Sequence, residues 1–124
     1  MLTIKKIEDM KEAEAYLSAR NIDRDLTNEL AMGVFTEKGL TGLGSLSLIG
    51  YKPHLNFVHI TEDDAMLCHG LGKALLNMAD LRGIKTVYGS NPDLEDLYKR
   101  LRFQKEEGLF VLSLENYFTA EHTH

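Results

Sequence analysis

The sequence predicts an α+β domain in which helices flank a mixed central β-sheet. Residues 30–60 contain three apolar segments separated by short turns rich in Gly, Lys or Pro, a pattern typical of antiparallel strands. Over residues 54–89 a strand, a helix and a second strand follow with short links. That order is typical of a βαβ unit with parallel strands and a right-handed crossover. A sheet with both kinds of pairing is mixed.

The N-terminal segment is predicted to form a strand over residues 3–7 and a helix over about residues 8–20. Its apolar residues recur at helical spacing on one side, with Glu and Lys on the other; they are Ile7, Met10, Ala13, Tyr16 and Leu17. Residues 21–28 are polar and bond readily to their own backbone, which favours a loop or a turn of helix.

Three strands are predicted next, over residues 30–36, 40–49 and 54–60, with turns at 37–39 and 50–53. Gly42 and Gly44 indicate bulges or close backbone approaches in the second of them. In the third, alternation places Leu55, Phe57 and His59 on one face and the intervening residues on the other. Because both faces carry apolar groups, this strand is predicted to be central.

A glycine turn is predicted between that strand and the next helix. Cys68-His69-Gly70-Leu71-Gly72-Lys73 has two glycines that allow close approach of a ligand, followed by a helix of about a dozen residues that ends near Arg82-Gly83. The first amides of a helix have no partner inside it and, with the helix dipole, favour an anion such as a phosphate. Alone, a Gly-x-Gly pattern is weak and is more often an ordinary loop.

The remaining elements complete the order β-α-β-β-β-α-β-α-β-β. They are a strand over residues 84–89, a helix with Pro92 in its first turn, and a hairpin of strands 103–106 and 109–114. The apolar side of the helix consists of Leu94, Leu97, Tyr98 and Leu101. We expect a single domain over residues 1–118 and a polar C-terminal tail over residues 119–124.

Composition excludes several classes of protein. With 124 residues and a net charge of −5, the chain has no stripe of Lys and Arg for nucleic acid, and no apolar run long enough to span a membrane. The charged N-terminus does not resemble a signal peptide, so a cytoplasmic protein is expected. Cys68 is the single cysteine, which excludes an internal disulfide. No metal is predicted, because the histidines lack ligand spacing; they are His54, His59, His69, His122 and His124.

The element order and two motifs resemble the GNAT superfamily of acyl-CoA-dependent N-acetyltransferases, over nearly the whole chain from Leu2 to about Leu114. The family's pyrophosphate loop, Gln/Arg-x-x-Gly-x-Gly/Ala, resembles residues 67–72, with Leu67 in place of Gln or Arg. A second family motif, Asn-x-x-Ala-x-x-x-Tyr-x-x-x-Gly-Phe, resembles residues 91–103. Here Asn91, Tyr98 and Phe103 match, whereas Leu94 replaces Ala and Arg102 replaces Gly.

The resemblance implies acetyl-CoA as cosubstrate and a set of residues that bind it. In the family, the fourth and fifth strands splay apart, the pantetheine arm lies between them, and the pyrophosphate rests on the glycine loop. Carried over to this chain, the cofactor-binding residues are Ile60, Thr61, Cys68, His69, Gly70, Leu71, Gly72, Lys73 and Asn91. Lys73 would add positive charge at the helix start, and Asn91 either binds the arm or caps its helix.

The resemblance also implies catalytic groups. An amine attacks a thioester, which requires a group that removes a proton and an acid that protonates the thiolate. Tyr98 matches the family's general acid, although a core tyrosine explains the same position. His59 and Glu62 are the candidates for the base, because they lie at or just past the end of the predicted strand. Glu62-Asp63-Asp64 is otherwise a solvated acidic turn.

We therefore expect an acetyl-CoA-dependent N-acetyltransferase that transfers an acetyl group to an amine of a small molecule or a protein. The alternative is a noncatalytic acyl-CoA-binding or regulatory protein with the same fold, and an interaction module that uses a sheet edge stays open as a third possibility. A homodimer formed through a sheet edge is compatible with the family. The acceptor is expected to meet residues 21–28 and the turn near Tyr51, which carry no diagnostic motif.

Overall fold

A computed structural model describes residues 2–48, 52–62 and 64–118. Its strands are β1 (Thr3–Lys6), β2 (Glu29–Thr36), β3 (Gly39–Ser47), β4 (His54–Ile60), β5 (Thr86–Gly89), β6 (Gln104–Glu106) and β7 (Leu109–Ser113). Its helices are α1 (Met10–Ala19), α2 (Ala65–Leu81) and α3 (Glu95–Arg100), with a 3₁₀ turn at Pro92–Leu94. Several expectations lie outside the described residues: the end of the second predicted strand at Ile49, the turn at Gly50-Tyr51, Asp63, and the tail over 119–124.

The strands within the described residues form one sheet in the order β1-β2-β3-β4-β5-β7-β6. Strands β4 and β5 are parallel, and the other neighbours are antiparallel. The predicted α+β class, the mixed sheet and the order of elements are confirmed. The helix α2 provides the crossover between the two parallel strands, and β4 is central, as predicted.

Two apolar clusters fill the space on either side of the sheet. Helix α1 contributes Ala13, Tyr16 and Leu17 to a cluster that includes Leu43 of β3. Helices α2 and α3 contribute to the larger cluster, whose members from those helices are Leu75, Leu76, Ala79, Leu97, Tyr98 and Leu101. Between them, Gly44 lets α2 approach closely, because a Cβ there would lie 2.8 Å from Leu75 Cδ1. The predicted close approach at Gly44 is therefore present.

A β-bulge at Asn56 corrects the predicted faces of β4. Phe57 lies opposite Ser45, whereas Leu55 lies opposite the next residue of β3, Leu46, so that Asn56 is the extra residue. A one-residue insertion moves every later side chain to the other face. Leu55 therefore shares the α2 side with Val58, while Phe57 packs on the α1 side.

The predicted start of α2 is wrong. The helix begins at Ala65, and Gly70 and Gly72 lie inside it rather than in a turn before it. Asp64 is its N-cap: the carboxylate accepts a hydrogen bond from the Leu67 amide at 3.0 Å, and the Asp64 carbonyl accepts one from the Cys68 amide at 3.0 Å. Each glycine costs about 1 kcal/mol of helix propensity relative to Ala. The cap and the packing of the apolar side of α2 outweigh that cost.

Candidate active site

The edge of β4 that faces β5 is open over its second half. Among the described residues, pairing between β4 and β5 is limited to His54 opposite Tyr88. The Thr61 amide donates to the Thr41 carbonyl at 2.9 Å, so Thr61 and Thr41 form a hydrogen-bonded pair just past the end of β4. In an antiparallel ladder such pairs alternate with pairs that are not hydrogen-bonded, and Ile60 and Val58 therefore belong to the second kind. Both residues therefore direct their N–H and C=O groups toward the side on which β5 has ended.

Polar side chains close the point at which β4 and β5 diverge. Asn56 and Ser90 bond reciprocally: the Asn56 amide donates to Ser90 Oγ at 3.0 Å, and the Ser90 backbone amide donates to Asn56 Oδ1 at 2.9 Å. Asn91 Nδ2 donates to the Asn56 carbonyl at 2.9 Å, and Asn91 Oδ1 caps the 3₁₀ turn by accepting from the Asp93 amide. Asn91 therefore has the predicted helix cap and, in addition, a contact with the β4 backbone, while binding of the cofactor arm stays a prediction.

A cavity of about 370 Å³ lies beside the open edge of β4, between the start of α2 and the 3₁₀–α3 segment. Its lining is acidic, because it includes the carboxylates of Glu62, Asp64, Asp93 and Asp96 and one cation, Arg100. The other lining residues are Val58, His59, Ile60, Ala65, Cys68, Leu94 and Leu97. A cleft is thus present beside the fourth strand where its pairing with the fifth has ended, with a charge that opposes phosphate groups.

Two further cavities adjoin this cleft through shared lining residues. One, of about 330 Å³, is lined by Met66, His69 and Arg100. The other, of about 230 Å³, shares Ile60, Glu62 and Asp64 with the cleft and extends to the turn between β2 and β3. The cleft and these two cavities together form a groove. Its cation, Arg100, lies toward α3, and two of its carboxylates, Glu62 and Asp64, lie toward the β2–β3 turn.

The predicted anion cradle is not formed by the glycines. The amides of Gly70, Leu71, Gly72 and Lys73 lie inside α2, where each donates to a carbonyl one turn earlier. Leu71 and Gly72 are buried, and a Cβ on Gly72 would lie 3.0 Å from Leu101 Cδ1. The ammonium of Lys73 lies 6.0 Å from the centroid of the Tyr117 ring. Gly72 therefore serves close packing of α2 against Leu101.

The other predicted cofactor-binding residues are dispersed. Ile60 and Cys68 line the cleft, His69 lines the adjoining cavity, and Thr61 contacts α1. Burial raises the pKa of the Cys68 thiol, and the charge of Arg100 opposes that rise. A protonated thiol is a poor nucleophile, which agrees with a packing role for Cys68.

Tyr98, the predicted acid, is fully buried next to the point where the strands diverge. Its hydroxyl donates to the Leu55 carbonyl at 2.6 Å and accepts from the Asn91 amide at 3.2 Å. The ring lies about 5 Å from those of Phe103 and Phe110, and Gly89 lies against it. Burial raises the pKa of Tyr98, so the phenol is neutral at pH 7. Tyr98 does not line the cleft, and its catalytic role stays a prediction.

His59, one of the two predicted bases, lines the cleft and contacts α1. Its Nδ1 lies 2.8 Å from the Tyr16 hydroxyl, which lies 3.2 Å from Thr61 Oγ1. Arg20 Nη2 donates to Thr61 Oγ1 at 3.2 Å, and its guanidinium stacks 3.7 Å from the centroid of the Tyr16 ring. Partial burial lowers the pKa of His59, and the charge of Arg20 lowers it further. The apolar pattern of α1 predicts Tyr16 only as a core residue, and its contact with His59 leaves no signal in the sequence.

The loop expected to meet the acceptor, residues 21–28, holds an ion pair against the sheet. Arg24 Nη2 lies 3.0 Å from Glu29 Oε1, which also accepts a 2.6 Å hydrogen bond from buried Ser45. The Arg24 guanidinium lies 4.9 Å from the Phe57 ring centroid. A cavity of about 390 Å³ lies beside this loop and α1. The loop is therefore anchored to three strands.

Among the described residues, no group of three or more His, Cys, Asp or Glu side chains is arranged so that it could hold a metal ion. In the same part of the chain, no helix is long and apolar enough to cross a membrane.

The fold is that of GNAT acetyltransferases. The structure resembles an N-acetyltransferase from Staphylococcus aureus Mu50, with a TM-score of 0.73, 16% identity and coverage of 94% of this chain and 99% of the other. It also resembles the ribosomal-protein-S18-alanine N-acetyltransferase from Escherichia coli, with a TM-score of 0.65, 16% identity and coverage of 92% and 94%.

A third solved structure carries a ligand. It is a GNAT family acetyltransferase from Elizabethkingia anophelis with acetyl-CoA bound, and it matches with a TM-score of 0.64, 12% identity and coverage of 91% of this chain and 98% of that one. No family model and no curated protein sequence matches the chain. At these identities the likeness shows the fold, and the predicted resemblance is confirmed at that level.

Proposed function

We propose that the protein is an acetyl-CoA-dependent N-acetyltransferase whose donor binds along the open edge of β4. The observation that carries the proposal is the pair Val58 and Ile60, whose backbone groups face a cavity of about 370 Å³ where no described strand pairs with them. Pantetheine contains two amide groups, so it can add to a strand edge as an extended peptide does. A structural neighbour with acetyl-CoA bound supports the choice of donor.

The diphosphate requires a different location from the one predicted, because the amides of Gly70–Lys73 are bonded inside α2. The first turn of a helix retains free amides, and here, among the residues that the structure describes, those of Ala65 and Met66 precede the amide that Asp64 caps. We place the diphosphate there, with the nucleotide in the adjoining cavity lined by Met66, His69 and Arg100. The Asp64 carboxylate opposes the phosphates, which implies weak binding.

The acidic lining favours a cationic acceptor. Glu62, Asp64, Asp93 and Asp96 raise the local concentration of an amine that arrives protonated. The amine must lose a proton before it attacks the thioester carbonyl, and His59 and Glu62 are the cleft residues predicted to accept that proton. Tyr98 keeps its predicted role as the proton donor to the thiolate.

The first experiment measures acetyl-CoA binding by calorimetry and thermal shift, and CoA release with a panel of primary amines. Val58→Pro removes an amide that faces the cleft without removing a hydrogen bond to β3, so it should weaken acetyl-CoA binding. Lys6→Pro is the matched control, because the pairing of β1 with β2 directs the Lys6 amide away from the sheet at the opposite edge. Absence of acetyl-CoA binding by the wild-type chain refutes the proposal.

One observation favours the noncatalytic alternative: the Tyr98 hydroxyl is engaged by the Leu55 carbonyl inside the core. A phenol held in this way stabilises the fold whether or not it donates to a thiolate. Acetyl-CoA binding without CoA release, unchanged in Tyr98→Phe, selects an acyl-CoA-binding protein. Turnover that falls in Tyr98→Phe, measured per folded molecule, selects the acetyltransferase.

A further inference from the structure

Helix α1 holds a side chain of the cleft through Tyr16. The Tyr16 hydroxyl is buried between α1 and the end of β4, and its neighbours are His59 Nδ1 at 2.8 Å, Thr61 Oγ1 at 3.2 Å and the Thr41 carbonyl at 3.4 Å. Hydrogen bonds from a hydroxyl have donor–acceptor distances of about 2.5 to 3.0 Å. Of these three acceptors, only His59 Nδ1 lies in that range.

The arrangement of protons around Tyr16 follows from these distances. A phenol has one proton, and the Thr41 carbonyl already accepts a 2.9 Å hydrogen bond from the Thr61 amide. Arg20 can only donate, so Thr61 Oγ1 already accepts from Arg20 Nη2, and its 3.2 Å separation from the Tyr16 oxygen lies outside that range. The Tyr16 proton is then directed to His59 Nδ1, and a neutral imidazole that accepts at Nδ1 carries its proton on Nε2.

We propose that Tyr16 is a positioning residue that fixes His59 as the Nε2–H tautomer, so that His59 donates a hydrogen bond to the thioester carbonyl oxygen and Glu62 accepts the proton of the amine. This assignment rests on the proposed acetyl transfer. The amine, after it has given its first proton to solvent, forms a bond from nitrogen to the carbonyl carbon and gives its second proton to the Glu62 carboxylate. The C–O⁻ of the tetrahedral intermediate accepts from Nε2–H, and the C–S bond then breaks to release the thiolate.

The charges around His59 agree with a neutral donor. Partial burial opposes protonation, and the charge of Arg20 from α1 acts in the same direction, so the pKa of His59 lies below its usual value. The cleft that His59 lines also contains the titratable or charged groups Glu62, Asp64, Cys68, Asp93, Asp96 and Arg100. His59 lines the cleft while its ring packs on the α1 side, and because Nδ1 is engaged by Tyr16, Nε2 is the ring nitrogen left to bind a ligand.

The tautomer can be measured without an acceptor substrate. Two-dimensional ¹H–¹⁵N spectra of the histidine side chains distinguish Nε2–H from Nδ1–H, and the His59 signals are identified by their loss in His59→Gln. We expect the Nε2–H form in the wild-type chain and a mixture of tautomers in Tyr16→Phe. Tyr117→Phe, which removes a hydroxyl that donates to the Leu101 carbonyl, is the matched control and should leave His59 unchanged. An Nδ1–H tautomer in the wild-type chain overturns the inference.

Catalysis separates a donor from a base. The side-chain amide of Gln can place an N–H near the position of Nε2, so His59→Gln should retain most of the turnover, whereas His59→Ala should lose about 10²- to 10³-fold in kcat, as for removal of an oxyanion donor. If His59 instead acted as a base, neither Gln nor Ala could accept the proton in its place. The fall in turnover at low pH that protonation of His59 causes would then be absent from both variants. Equal loss in the two variants therefore overturns the donor role. A wild-type chain that releases no CoA refutes acetyl transfer itself, while the spectra still decide the tautomer.

Discussion

Gly70→Ala tests whether the glycine pair belongs to a helix or to a turn. Gly70 lies in the sixth position of α2, and it is not among the glycines with positive φ. A Cβ there would meet Ile4 Cδ1 at 3.5 Å, which is an ordinary van der Waals contact. Ala should therefore stabilise the helix without strain, by about 0.5 to 1 kcal/mol.

The expected change in melting temperature follows from the size of the chain. Unfolding entropy of about 2.1 cal/mol/K per residue amounts to about 260 cal/mol/K for this chain, so ~1 kcal/mol corresponds to roughly 4 °C. Thermal unfolding followed by circular dichroism measures this shift, and urea unfolding measures the free energy directly.

Gly72→Ala is the matched control, two residues further along the same helix. Its Cβ would lie 3.0 Å from Cδ1 of fully buried Leu101, so the gain in helix propensity is offset by overpacking of about 1 to 3 kcal/mol. We expect Gly70→Ala to melt above the wild type and Gly72→Ala to melt at or below it. A Gly70→Ala protein that melts below the wild type refutes the reasoning, because such a loss is expected of a turn glycine.

Arg20→Gln should raise the pKa of His59 toward the usual value of about 6.5, because the cationic neighbour is removed while the burial remains; an NMR titration of the histidines that shows no rise contradicts the assigned cause. Asp64→Asn should keep the helix cap, because Asn also accepts a hydrogen bond from the Leu67 amide. It removes a negative charge from the start of α2, so acetyl-CoA should bind a few-fold more tightly at low salt. Asp64→Ala loses the cap and should lower the free energy of unfolding by about 1 kcal/mol. Calorimetry and urea unfolding separate the two effects, and equal acetyl-CoA affinities of wild type and Asp64→Asn place the diphosphate elsewhere. Gly89→Ala should destabilise the protein by about 3 kcal/mol or more, since its Cβ would lie 2.4 Å from the buried ring of Tyr98; a urea midpoint close to that of the wild type contradicts this packing.

The order of elements was predictable because it depends on local periodicity. Alternation in the strands and helical spacing of the apolar residues are written in adjacent residues, so the βαβ unit around α2 and the C-terminal hairpin were both found. The start of α2 was missed because two glycines suggest a turn, whereas Asp64 followed by Leu67 carries the opposite signal, an N-cap.

The face of each β4 residue was a harder problem. A bulge is visible only in the partner's register, and Asn56 is extra because Leu46 of β3 lies opposite Leu55. A polar residue between Leu55 and Phe57 is also the ordinary alternation of a regular strand, so the sequence gives no separate sign of the bulge. Missing the bulge moved Leu55 to the wrong side of the sheet.

The sequence predicts the residues of the candidate site that lie at the end of a strand. It does not predict contacts between residues that are distant in the sequence. His59 and Glu62 were selected because they lie at the end of β4, and both line the cleft. Tyr16 reaches His59 across 43 residues of sequence, and a single sequence carries no record of such a contact. Its buried ring satisfies the apolar pattern of α1 equally well, so the hydroxyl gave no separate signal.

The charges of the groove bear both on where the diphosphate binds and on which acceptor is favoured. Arg100 lines both the cleft and the cavity beside Met66 and His69, while Glu62 and Asp64 line both the cleft and the cavity toward the β2–β3 turn. A donor with its phosphates near Arg100 and a cationic amine near Glu62 would each meet the opposite charge. The cost falls on Asp64, which caps α2 and faces both ligands. If the charges act in this way, Gly70→Ala should leave the affinity for acetyl-CoA unchanged and Asp64→Asn should raise it.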